Sequence, residues 1–256
     1  TRALANVTSL PKPGIEAAYF DFFGLLVVRY PMWFGWVLVA AGFALLFTAP
    51  MQRMGLRWPQ VLGGAAGVLG LMFGTGVIMH FVSAWAYGTG MIPLRERINE
   101  MGPALWMYVA FASGVVLLVR PRESLWVGSV FLMLCCALAA QIWMPGASWL
   151  FDWGGLIGAL LVNLAARSGW KSSAVIYVSA LTGGLWGALL LTGVIITYVS
   201  VAPMTPAPIA LIIPFTITLI GPVLMAYGML PISRRVGGGL VVSAVLCGVW
   251  FGFNPS

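Results

Sequence analysis

The chain has 256 residues, of which 61% are hydrophobic and only 7% charged, with a mean hydropathy of +1.00. An ordinary soluble domain is about one quarter charged, so a water-soluble core is excluded and the chain is built to dissolve in a bilayer. The net charge of +7 comes from basic pairs set between apolar runs rather than from a continuous basic face, which argues against nucleic-acid binding and for a topology signal.

An N-terminal tail, residues 1–30, precedes a transmembrane domain over 31–256. Thr1 to Gly14 is polar and holds Pro11 and Pro13. Ala17 to Val28 is apolar but shorter than the roughly 20 residues a spanning helix needs, so it reads as an interfacial helix. Charged, apolar and small-residue regions do not follow one another there as in a cleaved signal peptide. From residue 31 onward, apolar runs of spanning length occur at 31–50, 60–87, 103–120, 124–144, 149–166, 172–201, 207–230 and 236–253. The expected fold class is all-α: a polytopic bundle of about eight transmembrane helices with the bilayer as its principal partner.

Loop charges orient these spans, because Lys and Arg accumulate in short cytoplasmic connections. The connections after spans one, three, five and seven carry Arg53 and Arg57, Arg120 and Arg122, Arg167 and Lys171, and Arg234 and Arg235. The turns near Pro145 and over Pro203 to Pro206 carry no basic residue. The alternation predicts that both termini lie outside. It also places Glu16, Asp21, Glu96, Glu100 and Asp152 on the outer side, where chemistry or subunit docking is expected.

Few side chains are equipped for chemistry. The only histidine, His80, sits near the outer end of span two, where it is either satisfied at the interface or available to a quinone head group. Arg95-Glu96-Arg97-Ile98-Asn99-Glu100 is the densest charge cluster, readable as a solvated helix, a lid over His80 or a docking edge. Asp152 opens span five, where a carboxylate favours the helix N-terminus. Asn163 is the most interior strongly polar residue, and Pro214 and Pro222 are expected to kink or break span seven. Cys135, Cys136 and Cys247 lie in apolar runs without metal-ligand spacing. A single histidine does not furnish the axial ligands of a b-type haem or the ligand set of a copper or di-iron centre, so no haem and no metal are expected. No Lys lies within a span to form a retinal Schiff base.

With His80 in span two, Glu96 or Glu100 downstream, Leu125-Trp126 opening span four and Gly169-Trp170 before span six, the chain resembles a known family. It is the haem-free eight-helix membrane anchors of dimethyl sulfoxide and polysulfide reductase-type complexes. That resemblance implies outside termini, as in the dimethyl sulfoxide branch, and an outer quinol site built from the histidine and the downstream acid. It covers topology along most of the chain but only scattered residues, and Phe81-Val82-Ser83 stands where Gly and Pro would follow the histidine. In Trp content and length the chain is also similar to membrane subunits of copper monooxygenases. Their metal-binding His and Asp have no counterpart, so that likeness implies a non-metal structural subunit.

The leading expectation is a quinol-binding, metal-free subunit of a multi-subunit oxidoreductase in a bacterial plasma membrane, with other subunits docking on the outer face. Its quinol would be held by residues drawn from His80, Arg95, Glu96, Arg97, Glu100 and Asp152. The alternative is a channel or carrier for a neutral small solute, favoured by nearly charge-free spans and the Gly-rich segments 63–76 and 182–193.

Overall fold

The computed structural model describes residues 17–22, 26–48, 53–87, 98–119, 122–144, 148–201, 212–227 and 231–253. Within them the chain opens with two strands, β1 (Ala17–Phe22) and β2 (Leu26–Pro31), paired antiparallel with Ala17 opposite Pro31 and Phe22 opposite Leu26. The interfacial helix expected over 17–28 is therefore a hairpin. Tyr19, Phe20, Phe22, Val27, Val28 and Tyr30 are aromatic or β-branched and favour strands, and Gly24, a poor helix former, lies between the two halves.

Eight helices follow among the described residues: α1 (Met32–Thr48), α2 (Trp58–Tyr87), α3 (Ile98–Leu118), α4 (Glu123–Trp143), α5 (Trp149–Ser168), α6 (Ser173–Val201), α7 (Ile212–Tyr227) and α8 (Pro231–Phe253). The fold is a helical bundle, and α2, α4, α5 and α8 each contain a stretch long and apolar enough to cross a membrane. Apolar side chains such as Trp33, Phe73, Phe81, Leu181, Leu246 and Trp250 point outward, as a bilayer allows and water does not. The chain is an integral membrane protein.

α4 lies at the centre, packed on α1, α2, α5 and α7, while α3 and α8 pair on the flank. Gly128 of α4 meets the backbone of α2 directly; a β-carbon there would stand 2.3 Å from the Ala65 amide nitrogen and 2.7 Å from the Val61 carbonyl oxygen. Such close approach supplies dispersion contact where lipid offers no hydrophobic drive for helices to associate.

Polar side chains cross between helices to backbone carbonyls. Asn163 Nδ2 of α5 donates to the Leu45 carbonyl of α1 at 3.3 Å, a cross-helix bond of the kind its interior position suggests. α7 runs through Pro222 without ending. Proline has no N–H, so the Thr218 carbonyl one turn earlier loses its helical donor, and Trp126 Nε1 of α4 donates to that oxygen at 2.9 Å. Ser129 Oγ, one turn further along α4, donates to the Pro214 carbonyl at 2.9 Å and lies 2.9 Å from Thr218 Oγ1, while Ser179 Oγ of α6 donates to the Leu219 carbonyl. Pro214 sits in the first turn, where a missing donor costs no helical bond.

Candidate functional site

The α4–α5 turn brings together the most concentrated buried polarity described. Gln141 ends α4, Ser148 precedes α5 and Asp152 lies in its first turn; the aspartate is 0% exposed and Gln141 5%. Gln141 Nε2 donates to Asp152 Oδ2 at 2.6 Å and to Ser148 Oγ at 2.8 Å, and Ser148 Oγ donates to the same Asp152 oxygen at 2.8 Å. The sequence position of Asp152 predicts a cap at the helix N-terminus. Its bonded oxygen instead takes side-chain donors from α4 and from the preceding turn, and no side-chain cap bond forms at Ser148.

α1 makes the space. Gly35 faces the cluster, and a β-carbon on it would stand 1.8 Å from Gln141 Nε2 and 3.0 Å from Asp152 Oδ2. The hairpin closes the cluster from the other side. Tyr30, buried at the end of β2, packs its ring on Phe34, Trp149 and Trp153. Burial first, and the Asp152 carboxylate second, push the Tyr30 hydroxyl above its ordinary value. The Trp153 indole beside it opposes that rise, yet neither polar atom reaches hydrogen-bonding geometry with a described residue.

Five buried polar atoms thus lack a partner among the described residues. Asp152 Oδ1 and Gln141 Oε1 are free acceptors, and Tyr30 Oη, Trp153 Nε1 and Trp186 Nε1 are free donors. Unpaired buried polar atoms are uncommon and each costs free energy, so five in one protein call for explanation. Four of them belong to this cluster. The Trp186 ring reaches toward it through an edge contact with Trp149 at 6.3 Å.

Beyond the neighbouring aromatic pair Phe151 and Phe215, 5.9 Å apart, a cavity of about 280 Å³ opens between α3, α6 and α7. Its lining is apolar apart from Ser113 and Thr216.

The other expected site residues are placed differently. His80 is exposed on α2, edge-on to Phe81 at 6.1 Å, and makes no hydrogen bond with a described residue. Arg95, Glu96 and Arg97 lie outside the described residues, and Glu100 falls in the first turn of α3, whose side chains there are likewise outside them. Among the described residues the Asp152 side chain bonds only to Gln141 and Ser148; α5 packs on α1, α4, α6 and α7, whereas His80 belongs to α2. Among the described residues no three His, Cys, Asp or Glu side chains converge on one point. Gln141, Ser148, Tyr30 and Gly35 escape sequence reasoning. The available signal is Gln141, a strongly polar side chain in the last turn of a mostly apolar span. Compared with known protein families, curated proteins and solved structures, the chain matches none.

Proposed function

We propose that this chain is the quinol-handling membrane subunit of an oxidoreductase complex, with the Asp152 cluster as its head-group site. The observation that carries the reading is the set of buried atoms around Asp152 that have no partner among the described residues. A quinol ring presents hydroxyl donors, which suit Asp152 Oδ1 and Gln141 Oε1; its oxidised form presents carbonyl acceptors, which suit the Tyr30 hydroxyl and the Trp153 indole. When bound, such a ring supplies two electrons and two protons. The chain's part is to bind, orient and accept a proton: Asp152 Oδ1 receives it while Gln141 and Ser148 hold Oδ2 in place. The apolar cavity beyond Phe215 suits a hydrocarbon tail.

The accompanying topology is eight spans in a bacterial plasma membrane, both termini outside, with the redox partner docked on the hairpin side. The alternating basic pairs support it. His80 with an acid of the 96–100 segment is the second candidate site, in keeping with the resemblance to dimethyl sulfoxide reductase-type anchors.

Titration of the purified chain with a fluorescent hydroxyquinoline N-oxide, a quinone analogue, tests the reading. Asp152→Asn should weaken binding roughly tenfold to hundredfold, the equivalent of losing one charge-assisted hydrogen bond. His80→Ala should leave it unchanged. The reverse pattern moves the pocket to His80. Absence of binding to the wild-type chain, together with purification free of iron–sulfur or molybdenum subunits, refutes the function and favours the neutral-solute carrier.

A further inference from the structure

At the end of the bundle opposite the hairpin, two turns that are remote in sequence are fastened together. Met54 and Leu56, between α1 and α2, and Trp170, between α5 and α6, all pack on one apolar cluster that includes Leu46, Val61, Ala165 and Val175. The Asn163 bond to the Leu45 carbonyl ties the same two helices one layer deeper. The turns therefore keep a fixed spacing, and so do the charges they carry.

Those charges are Arg53 and Arg57 on one turn and Arg167 and Lys171 on the other, all four exposed. Neither turn contains an Asp or Glu. Among the described residues none of the four forms an ion pair; Lys171 instead rests its ammonium over the Trp170 ring, 4.9 Å from the centroid. Glu123, the acid at the head of α4, forms no ion pair with them either. Directly flanking the charges are exposed aromatic rings: Trp58 is 45% and Phe47 39% exposed, 5.2 Å apart. Tryptophan at such a position marks the boundary between hydrocarbon and head groups.

We propose that residues 53–57, leading into α2, and 167–171, at the junction of α5 and α6, together form a binding surface for the head group of an anionic phospholipid. Charge complementarity selects the occupant. Four cations with no counter-ion among the described residues, held at the rim of apolar helices, face the head-group layer, where an anionic lipid offers a phosphodiester to their charges and acyl chains to the Phe47–Trp58 flank. The surface does not depend on the quinol site, which lies at the other end of the bundle.

Native mass spectrometry of the full chain in detergent, titrated with dioleoyl phosphatidylglycerol and with dioleoyl phosphatidylcholine, provides the test. The anionic lipid should bind in preference to the zwitterionic one. Each basic residue near a membrane surface contributes about fivefold, so R57Q/K171Q should weaken phosphatidylglycerol binding about 30-fold. R57K/K171R, which keeps the charge, and R234Q/R235Q, which neutralises the basic pair heading α8, should each bind as the wild type does. If R57Q/K171Q does not fold, R57Q alone should show the fivefold loss. Equal affinity for the two lipids, or an equal loss in R234Q/R235Q, would overturn the proposal, because either result describes diffuse surface charge rather than a site.

Discussion

Replacing Gly35 with Ala is the most direct way to disturb the Asp152 cluster without touching any of its polar groups. The new β-carbon would stand 1.8 Å from Gln141 Nε2, so the amide has to leave. Leaving breaks the 2.6 Å bond to Asp152 and the 2.8 Å bond to Ser148. A hydrogen bond to a charged group contributes roughly 1.5–3 kcal/mol and a neutral one about 1, while alanine improves on glycine in a helix by about 1 kcal/mol. The net loss is then roughly 1–3 kcal/mol, or about 2–12 °C in unfolding midpoint for a chain of this size. Thermal unfolding of the purified protein by circular dichroism measures it, with Gly70→Ala as reference because no described residue outside its own helical turn lies within 4 Å of a β-carbon built there. Gly70→Ala should be neutral or slightly stabilising. In a Gln141→Ala background Gly35→Ala should cost nothing, since the amide it displaces is gone. A Gly35→Ala protein as stable as Gly70→Ala would refute the reasoning, for the amide would then have room to move without losing its partners.

Asp152→Ala should lower stability by roughly 2–4 kcal/mol by removing the buried carboxylate that accepts from both Gln141 and Ser148, whereas Asp152→Asn should stay within about 1 kcal/mol of wild type; equal unfolding midpoints for the two variants would contradict this. Tyr30→Phe removes a hydroxyl without a described partner and should be nearly neutral at pH 8. Because burial raises the phenol's pKa, the unfolded chain ionises first, so wild type should lose stability as pH rises above about 10 while Tyr30→Phe loses less. Midpoints measured at pH 8 and pH 11 check the sign. Gly128→Ala presses a β-carbon onto α2 backbone, which no rotamer change can relieve, and should cost about 1–3 kcal/mol in the same unfolding assay.

The helices are the part of this fold most legible in the sequence, because a bilayer imposes both length and apolarity on whatever crosses it; α1 to α8 each fall on one apolar run. The hairpin is less so. Twelve mostly apolar residues read equally as a short helix, and only the aromatic and β-branched character of Tyr19, Phe20, Val27 and Val28 argues otherwise. At the candidate site, Asp152 stands out as an acid in an acid-poor chain, but its partners do not. Gln141 comes from the neighbouring span, Tyr30 from the tail, and Gly35 is one of 32 glycines whose close approaches appear only once helices are packed. His80, the most conspicuous residue in the sequence, is exposed among the described residues. Its rarity of type makes it conspicuous, whereas a site is made by convergence, which one-dimensional spacing does not encode.

The Trp126 bond to the Thr218 carbonyl has a consequence for how this sequence can change. The indole completes a helix to which it does not belong, so residues 126 and 222 form a single heritable unit spread over two helices. A lineage that exchanged Pro222 for a residue with an N–H would restore the native ladder of α7 and release position 126 to drift toward any large apolar side chain. In the opposite order, loss of the indole while the proline persists strands a carbonyl in the interior of a membrane bundle. Substitution is therefore directional, proline first and tryptophan second, and Trp126 is held in place by a residue 96 positions away in the chain.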